Sequence, residues 1–137
     1  MDPRLVASPN PDQIAQTLKL WPELGGMRVR PLLVTAFGDI FVEASEGEVL
    51  CADPLELTCE VVAGSVPDLE RLFADPEWAQ ERLLTDVILP AEEHEVERRP
   101  DQVFAVAPHP TFTGAIRFEQ LQPMDLVVWH GLATQLR

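Results

Sequence analysis

The sequence has 137 residues with 10 basic and 23 acidic side chains, which gives a formal net charge of −13 at neutral pH. Because so negative a surface repels phosphate groups, nucleic acids and anionic membranes are excluded as favoured partners, whereas a positively charged protein is attracted. Hydrophobic residues make up 46% of the chain, and no repeat or Gly/Ser-rich linker interrupts it. The sequence therefore predicts a single domain over residues 1–137.

The compartment is predicted from the N-terminus and the cysteines. No apolar stretch of signal-peptide length follows Met1, and no later stretch is long enough to cross a membrane. We therefore expect a cytoplasmic protein in which Cys51 and Cys59 are reduced thiols that pack in the core, with a redox or metal role as the alternative. If residues 53–57 close a hairpin, the two cysteines lie opposite each other on neighbouring strands.

Thirteen prolines separate the predicted elements along the chain, because proline disrupts helix interiors and central strands. Asn10 as a cap before Pro11 predicts a short N-terminal helix that ends at Trp21-Pro22. Alternating apolar residues then predict strands joined by turns at Gly38-Asp39, at residues 45–47 and at Asp53-Pro54. The strands, at 32–37, 40–44, 49–51 and 57–61, are expected to form an antiparallel meander.

The second half is predicted to contain further helices and two more strands. Ser65 caps one helix, and Asp75-Pro76-Glu77 starts another that Pro90 closes. Strands are predicted at 102–107 and 115–119. A C-terminal helix over 123–136 is expected to bury Met124, Val127, Val128, Leu132 and Leu136. The whole is an α+β fold, a mostly antiparallel β-sheet with helices packed on one face.

No familiar catalytic or cofactor motif is present, and the three histidines are far apart in sequence. We therefore expect no enzyme activity and no cofactor or metal. His109, between two prolines, is expected to stiffen its loop, with presentation to a ligand as the alternative. Packing in or beside the core is favoured for Trp78, Trp129 and His130.

The densest polar stretch contains four glutamates around a histidine, followed by two arginines. Three interpretations remain open: a solvated charge run, a contact surface for a basic partner, or a metal site. The candidate partner-binding residues are Glu92, Glu93, Glu95 and Glu97.

From about Trp21 to residue 137 the chain matches a family pattern in order. A Trp-Pro stretch precedes a strand that ends in Phe-Gly-Asp, here within residues 33–42, and a Gly-containing hairpin follows at 46–49. A buried strand at 103–106, a Pro and Gly loop at 110–114 and a C-terminal helix complete it. The chain thus resembles the uncharacterised domain family that forms the C-terminal domain of type VI secretion immunity proteins.

The resemblance implies an α+β fold and a protein that binds and silences a toxin, in the best-known members a DNase. A nuclease carries a basic DNA-binding face, which suits an acidic inhibitor. The leading expectation is therefore an immunity-like module that caps a basic protein, without cofactor or nucleic acid. The alternatives are a ligand-binding or enzymatic pocket between sheet and helices that uses His109 or His130, and a structural domain that self-associates through its sheet edges.

Overall fold

The computed structural model describes residues 2–137 and shows two antiparallel sheets. Five strands form the larger sheet in chain order, so that β2 to β5 make the expected meander and β1 pairs with the outer side of β2. The last two strands form a separate small sheet. The strands are β1 (Val6–Ala7), β2 (Val29–Thr35), β3 (Ile40–Ala44), β4 (Val49–Asp53), β5 (Thr58–Ala63), β6 (Val103–Val106) and β7 (Leu121–Met124).

Among residues 2–137 six α-helices surround the sheets, and three of them begin where side-chain caps were predicted. Asn10, Ser65 and Asp75 each accept a hydrogen bond from a backbone N–H two or three residues ahead. The α+β prediction is confirmed. No helix formed by residues 2–137 combines the length and hydropathy that crossing a membrane requires. The helices are α1 (Pro11–Leu18), α2 (Val66–Ala74), α3 (Pro76–Leu83), α4 (Thr85–Glu93), α5 (Pro110–Thr113) and α6 (Leu126–Thr134).

Helices lie against both faces of the large sheet rather than one. Successive residues of β3 show this, because Ile40 and Val42 join a core cluster with α1 and α6, whereas Phe41 packs with α2 and the start of α3. All three side chains are fully buried. A strand that is apolar on both faces carries no period-2 signal to show which face is covered, so its sequence does not reveal the second layer.

The prediction of one helix from Asp75 to Pro90 is wrong. The structure has two helices here, and the second one continues past Pro90. Leu84 adopts the left-handed conformation, with φ 53° and ψ 45°, and separates α3 from α4. The second helix then continues through Pro90, because one proline removes a single helical hydrogen bond while Ile88 and Ala91 are buried in a core cluster on either side of it. The bend lets α3 stay on the large sheet and directs α4 toward the small one.

The predicted buried face of the C-terminal helix is also wrong. Helix α6 buries Leu126, Trp129, His130 and Ala133, whereas the predicted Val128 and Leu132 are 51% and 50% exposed. The helix is apolar on nearly every side, so periodicity alone does not select a face. The strand predicted at 115–119 lies later, as β7, because Phe118–Gln120 forms a 3-10 turn instead.

The two cysteines are free and buried, but they are not opposite each other. In the β4–β5 ladder Cys51 pairs with Glu60, and Cys59 pairs with Ala52. Adjacent residues of a strand point to opposite faces, so the thiols lie in different core clusters. The packing role predicted for them agrees with this placement.

Three buried hydrogen bonds, here called the His130 clamp, join distant parts of the chain. Trp21 Nε1 donates to His130 Nδ1 at 2.9 Å, His130 Nε2 lies 2.6 Å from the Gly38 carbonyl oxygen, and Trp129 Nε1 donates to the Phe37 carbonyl at 2.9 Å. Because Nδ1 accepts from the indole, the histidine proton is on Nε2 and is donated to Gly38. The clamp fixes the β2–β3 turn against α6.

The close approach of α6 to this turn predicts a large effect of Gly38→Ala. Gly38 has φ +91°, and an added Cβ would lie 2.9 Å from Cδ1 of the buried Trp129. We expect the free energy of unfolding to fall by about 3 kcal/mol, measured by urea denaturation. Gly47→Ala is the matched control, since Gly47 has φ +96° with no atom within 4 Å of the added Cβ, and it should cost about 1 kcal/mol. Equal losses in both variants would show that the Trp129 contact does not matter.

Candidate functional site

The four glutamates singled out by sequence lie at the C-terminal end of α4 and in the loop that follows it, here called the acidic segment (residues 92–97). All four side chains are exposed. Glu92 Oε2 accepts from Arg4 Nη1 at 2.5 Å. Within the described part of the chain, Glu93, Glu95 and Glu97 have no ion-pair partner.

Local physical chemistry disfavours acidic residues at three of these positions. Glu92 and Glu93 occupy the last turn of a helix, where the dipole is negative and favours cations. Glu95 has φ +58°, and the helix ends in a Schellman pattern in which Val96 N–H bonds to the Ala91 carbonyl at 3.0 Å. Glycine or asparagine is the residue usually found there. The glutamates are therefore not explained by the stability of the helix end.

A mainly apolar cavity of about 350 Å³ adjoins the acidic segment and is here called the segment cavity. Arg98, on its rim, donates from Nη1 to the Gln102 carbonyl at 3.0 Å and also bonds the Val6 carbonyl, so its guanidinium is held by the backbone. Apolar side chains from three parts of the chain form the walls, and they are Val6, Ile88, Ala91, Val96 and Phe104.

A second candidate site, which sequence reasoning missed, is built from two buried carboxyl groups and an arginine. Asp39 immediately precedes β3, and Asp53 ends β4. Because Ile40 pairs with Ala52, the ladder brings the two carboxyl groups to the same end of the sheet. They are 4% and 5% exposed. Arg82 on α3 reaches over them, with Nη2 3.7 Å from Asp53 Oδ2 and Nε 3.9 Å from Asp39 Oδ2.

The hydrogen bonding of this group is incomplete. Arg82 Nη2 donates to Cys51 Sγ at 2.7 Å, and both ion-pair distances exceed hydrogen-bond length. Asp39 Oδ1 and Arg82 Nε are buried without a partner. An unsatisfied buried polar atom costs about 1–3 kcal/mol, so this arrangement opposes folding.

Burial determines the protonation of the Asp39 carboxyl and the Cys51 thiol. It raises the pKa of the Asp39 carboxyl well above its ordinary value, and the neighbouring Asp53 raises it further, against the opposing effect of Arg82. Burial also raises the pKa of the Cys51 thiol, so the sulfur next to Arg82 is neutral. Asp39 thus holds its proton well above the pH range in which an exposed aspartate loses it.

A cavity of about 410 Å³, here called the Asp39 cavity, opens from these carboxyl groups to the surface. Asp39 and Asp53 form its floor, and the exposed Glu56 and Glu81 stand at its rim. Its remaining lining residues are the arginine described above and four apolar side chains: Arg82, Leu55, Trp78, Leu84 and Ile116.

His109 and His130, the histidines considered for a pocket, are not presented to solvent. His109 is buried, with Nε2 2.8 Å from the Pro54 carbonyl oxygen and Nδ1 accepting from Thr111 N–H, which agrees with its predicted structural role. His130 is fully buried in the clamp, and burial lowers its pKa to about 4, so it is neutral at physiological pH. Across residues 2–137, no group of three or more His, Cys, Asp or Glu side chains is placed to hold a metal ion.

No protein-family model matches this chain, and no curated protein matches it significantly. The function is therefore inferred from the geometry of the molecule and from the pattern of its sequence.

The strained backbone at Glu95 leads to a prediction about stability. Glu95→Gly should raise the free energy of unfolding by about 0.5–1 kcal/mol, because glycine adopts positive φ without the steric cost that glutamate has. The measurement is urea denaturation at neutral pH. Glu97→Gly removes the same charge at a position without positive φ, and it should give no such gain. A similar gain in both variants would point to charge rather than to backbone strain.

The raised pKa of Asp39 predicts how Asp39→Asn changes the pH dependence of stability. The folded protein retains a proton that the unfolded chain loses above its ordinary pKa of 3.8, so this carboxyl costs stability as pH rises from there toward its folded pKa. Asparagine does not titrate. The variant should therefore gain stability relative to the wild type as the pH rises from about 4 toward the folded pKa of Asp39, by about 1 kcal/mol or more.

Urea denaturation across this pH range measures that gain. Asp12→Asn on the exposed side of α1 controls for the substitution itself, and any trend it shares is subtracted. A difference between Asp39→Asn and the wild type that stays constant with pH contradicts a raised pKa.

Proposed function

We propose that this chain is an acidic, immunity-like binding module that caps the basic face of a protein partner, such as a secreted nuclease toxin. The observation that carries the proposal is the acidic segment. Its glutamates are exposed, three of them lack an ion-pair partner within the described residues, and three occupy positions that local physics disfavours. Such residues are typical of a surface selected for binding rather than for stability.

The net charge supports the same partner class. A charge of −13 steers a basic protein toward this surface over roughly a Debye length of 8 Å. Complementary charge raises the association rate and disfavours other partners, which suits an inhibitor that must capture its target before the target acts. The resemblance to the immunity-protein family adds to this support, and we place the proposed activity in the cytoplasm without a cofactor or a catalytic step.

The segment cavity gives the proposed interface a centre. Tight interfaces have a desolvated apolar core surrounded by a polar rim, and the core contributes most of the binding energy. Here Ile88, Ala91 and Phe104 line an apolar depression, and Glu92 and Glu97 lie at its edge. The proposed partner therefore presents an apolar side chain flanked by lysine or arginine.

Charge reversal tests this assignment. A tagged chain is first used to isolate its partner from native lysate at low and raised salt, with identification by mass spectrometry, and affinities are then measured with the purified pair. Replacement of Glu92, Glu93, Glu95 and Glu97 by lysine should weaken binding by about 2 kcal/mol or more, which is roughly 30-fold.

The control is a second fourfold reversal, at Glu46, Glu48, Glu60 and Glu70, which changes the net charge equally on surfaces outside the acidic segment. It should slow association through the weaker overall field but leave the dissociation rate nearly unchanged. If both fourfold variants lose the same affinity, only net charge matters and the acidic segment is not the contact.

A further inference from the structure

The Asp39 cavity has the features of a built site, independent of the acidic segment. Asp39 lines an open cavity and is more than nine-tenths buried, and its Oδ1 atom has no hydrogen-bond partner. The protonated Asp39 carboxyl hydrogen-bonds the Asp53 carboxyl, which leaves Oδ1 without an N–H donor. The volume of about 410 Å³ is within the range of small-molecule pockets.

The charges that line the cavity indicate what kind of donor it takes. Four carboxyl groups, those of Asp39, Asp53, Glu56 and Glu81, face one guanidinium. Arg82 is committed to the Cys51 sulfur and stays 3.7–3.9 Å from the aspartates, so it does not satisfy Oδ1. A water molecule supplies a hydrogen bond but leaves the excess of carboxyl groups uncompensated. A cation that carries N–H groups supplies both the hydrogen bond and the compensating positive charge.

The walls suit an organic cation better than a bare metal ion. Leu55, Leu84 and Ile116 offer apolar surface to an alkyl stem, and the half-buried Trp78 offers an indole ring to a cationic head. As noted above, no cluster of metal-ligating side chains occurs among the described residues.

We propose that the Asp39 cavity binds an organic cation with N–H donors, a guanidinium or primary ammonium group on an alkyl stem, which donates to Asp39 Oδ1 and compensates Asp53. The source is either a free small molecule or a lysine or arginine side chain of a protein. This inference does not depend on the acidic segment or on the proposed inhibitor function.

Binding at this site is coupled to deprotonation. The entering cation favours the charged form of Asp39, whose proton then leaves to solvent. The groups that face Asp39 are Asp53, Glu56, Arg82 and the neutral Cys51 thiol. The neutral His130 bonds the carbonyl of the preceding residue, Gly38. Affinity should therefore rise with pH, and calorimetry in buffers of different ionisation enthalpy should detect proton release.

The test adds three small probes to the whole protein. Binding is detected by NMR, as chemical-shift changes at residues around the cavity. Propylguanidinium should bind, whereas propylurea, its neutral isostere, and tetramethylammonium, a cation without N–H groups, should bind about tenfold or more weakly. Equal binding of propylurea overturns the assignment to a cation. Absence of binding by propylguanidinium overturns the site.

Substitutions of the cavity aspartates test where the probe binds. Asp39→Asn and Asp53→Asn should each lower the affinity for propylguanidinium about tenfold, whereas Asp12→Asn on the surface should change it less than about twofold. The comparison of probes on wild-type protein needs no variant, so the proposal stays testable if a substitution prevents folding. Unchanged affinity in Asp39→Asn contradicts the proposed contact.

A blocked pentapeptide with a central arginine between glycines distinguishes the two sources. If it binds at least as tightly as propylguanidinium, the site accepts a protein side chain. If it is excluded while propylguanidinium binds, the ligand is a free small molecule. Because no isolated partner is needed, failure here leaves the inhibitor proposal standing, and failure of the fourfold charge reversal leaves this site standing.

Discussion

The His130 clamp holds together the parts of the chain on which the Asp39 cavity depends. A neutral, fully buried imidazole accepts from Trp21 and donates to Gly38, and the neighbouring Trp129 fixes Phe37. These bonds connect the loop after the first helix, the last helix and the turn between two central strands. Burial of an imidazole is costly unless both ring nitrogens are paired, and here each has one partner. The turn that the clamp fixes is the one that leads directly into Asp39.

The two candidate sites illustrate different ways in which binding surfaces oppose stability. At the acidic segment the opposition is local, through the helix dipole and the backbone of Glu95. At the Asp39 cavity it comes from desolvation, because two carboxyl groups are buried with a guanidinium that does not reach either one at hydrogen-bond distance. Both kinds of strain lie at the ends of elements, while the apolar clusters between sheet and helices are buried. Rigid layers that carry strained ends are the usual arrangement of a binding domain.

The elements that sequence predicted well are those determined by neighbours in the chain. The caps at Asn10, Ser65 and Asp75 and the turns of the meander depend on a few adjacent residues, so their types and places were predictable. The helix break at Leu84 was not predictable, because leucine carries no signal for a left-handed conformation. Only the tertiary packing of the two flanking helices requires it.

The candidate sites were predictable to different degrees for the same reason. The acidic segment is contiguous, and it was visible as a run of glutamates. Asp39, Asp53 and Arg82 come from three elements, and in sequence the two aspartates look like ordinary turn residues. Their proximity follows from the β3–β4 register and from the position of α3, neither of which a single sequence reveals. A Phe-Gly-Asp turn followed by a second Asp at a strand end was the only available signal.

The meander and the clamp also imply an order of events in folding. Strands β2 to β5 pair with their sequence neighbours, so their hairpins close short loops at little entropic cost and are expected to form within microseconds. The partners of His130 lie 92 and 109 residues away, and closing loops of that length is slower. Until α6 docks, the Gly38 carbonyl and the Trp21 indole remain open to water. The transition state of folding is therefore expected to contain the meander, with docking of α6 on the native side of the barrier.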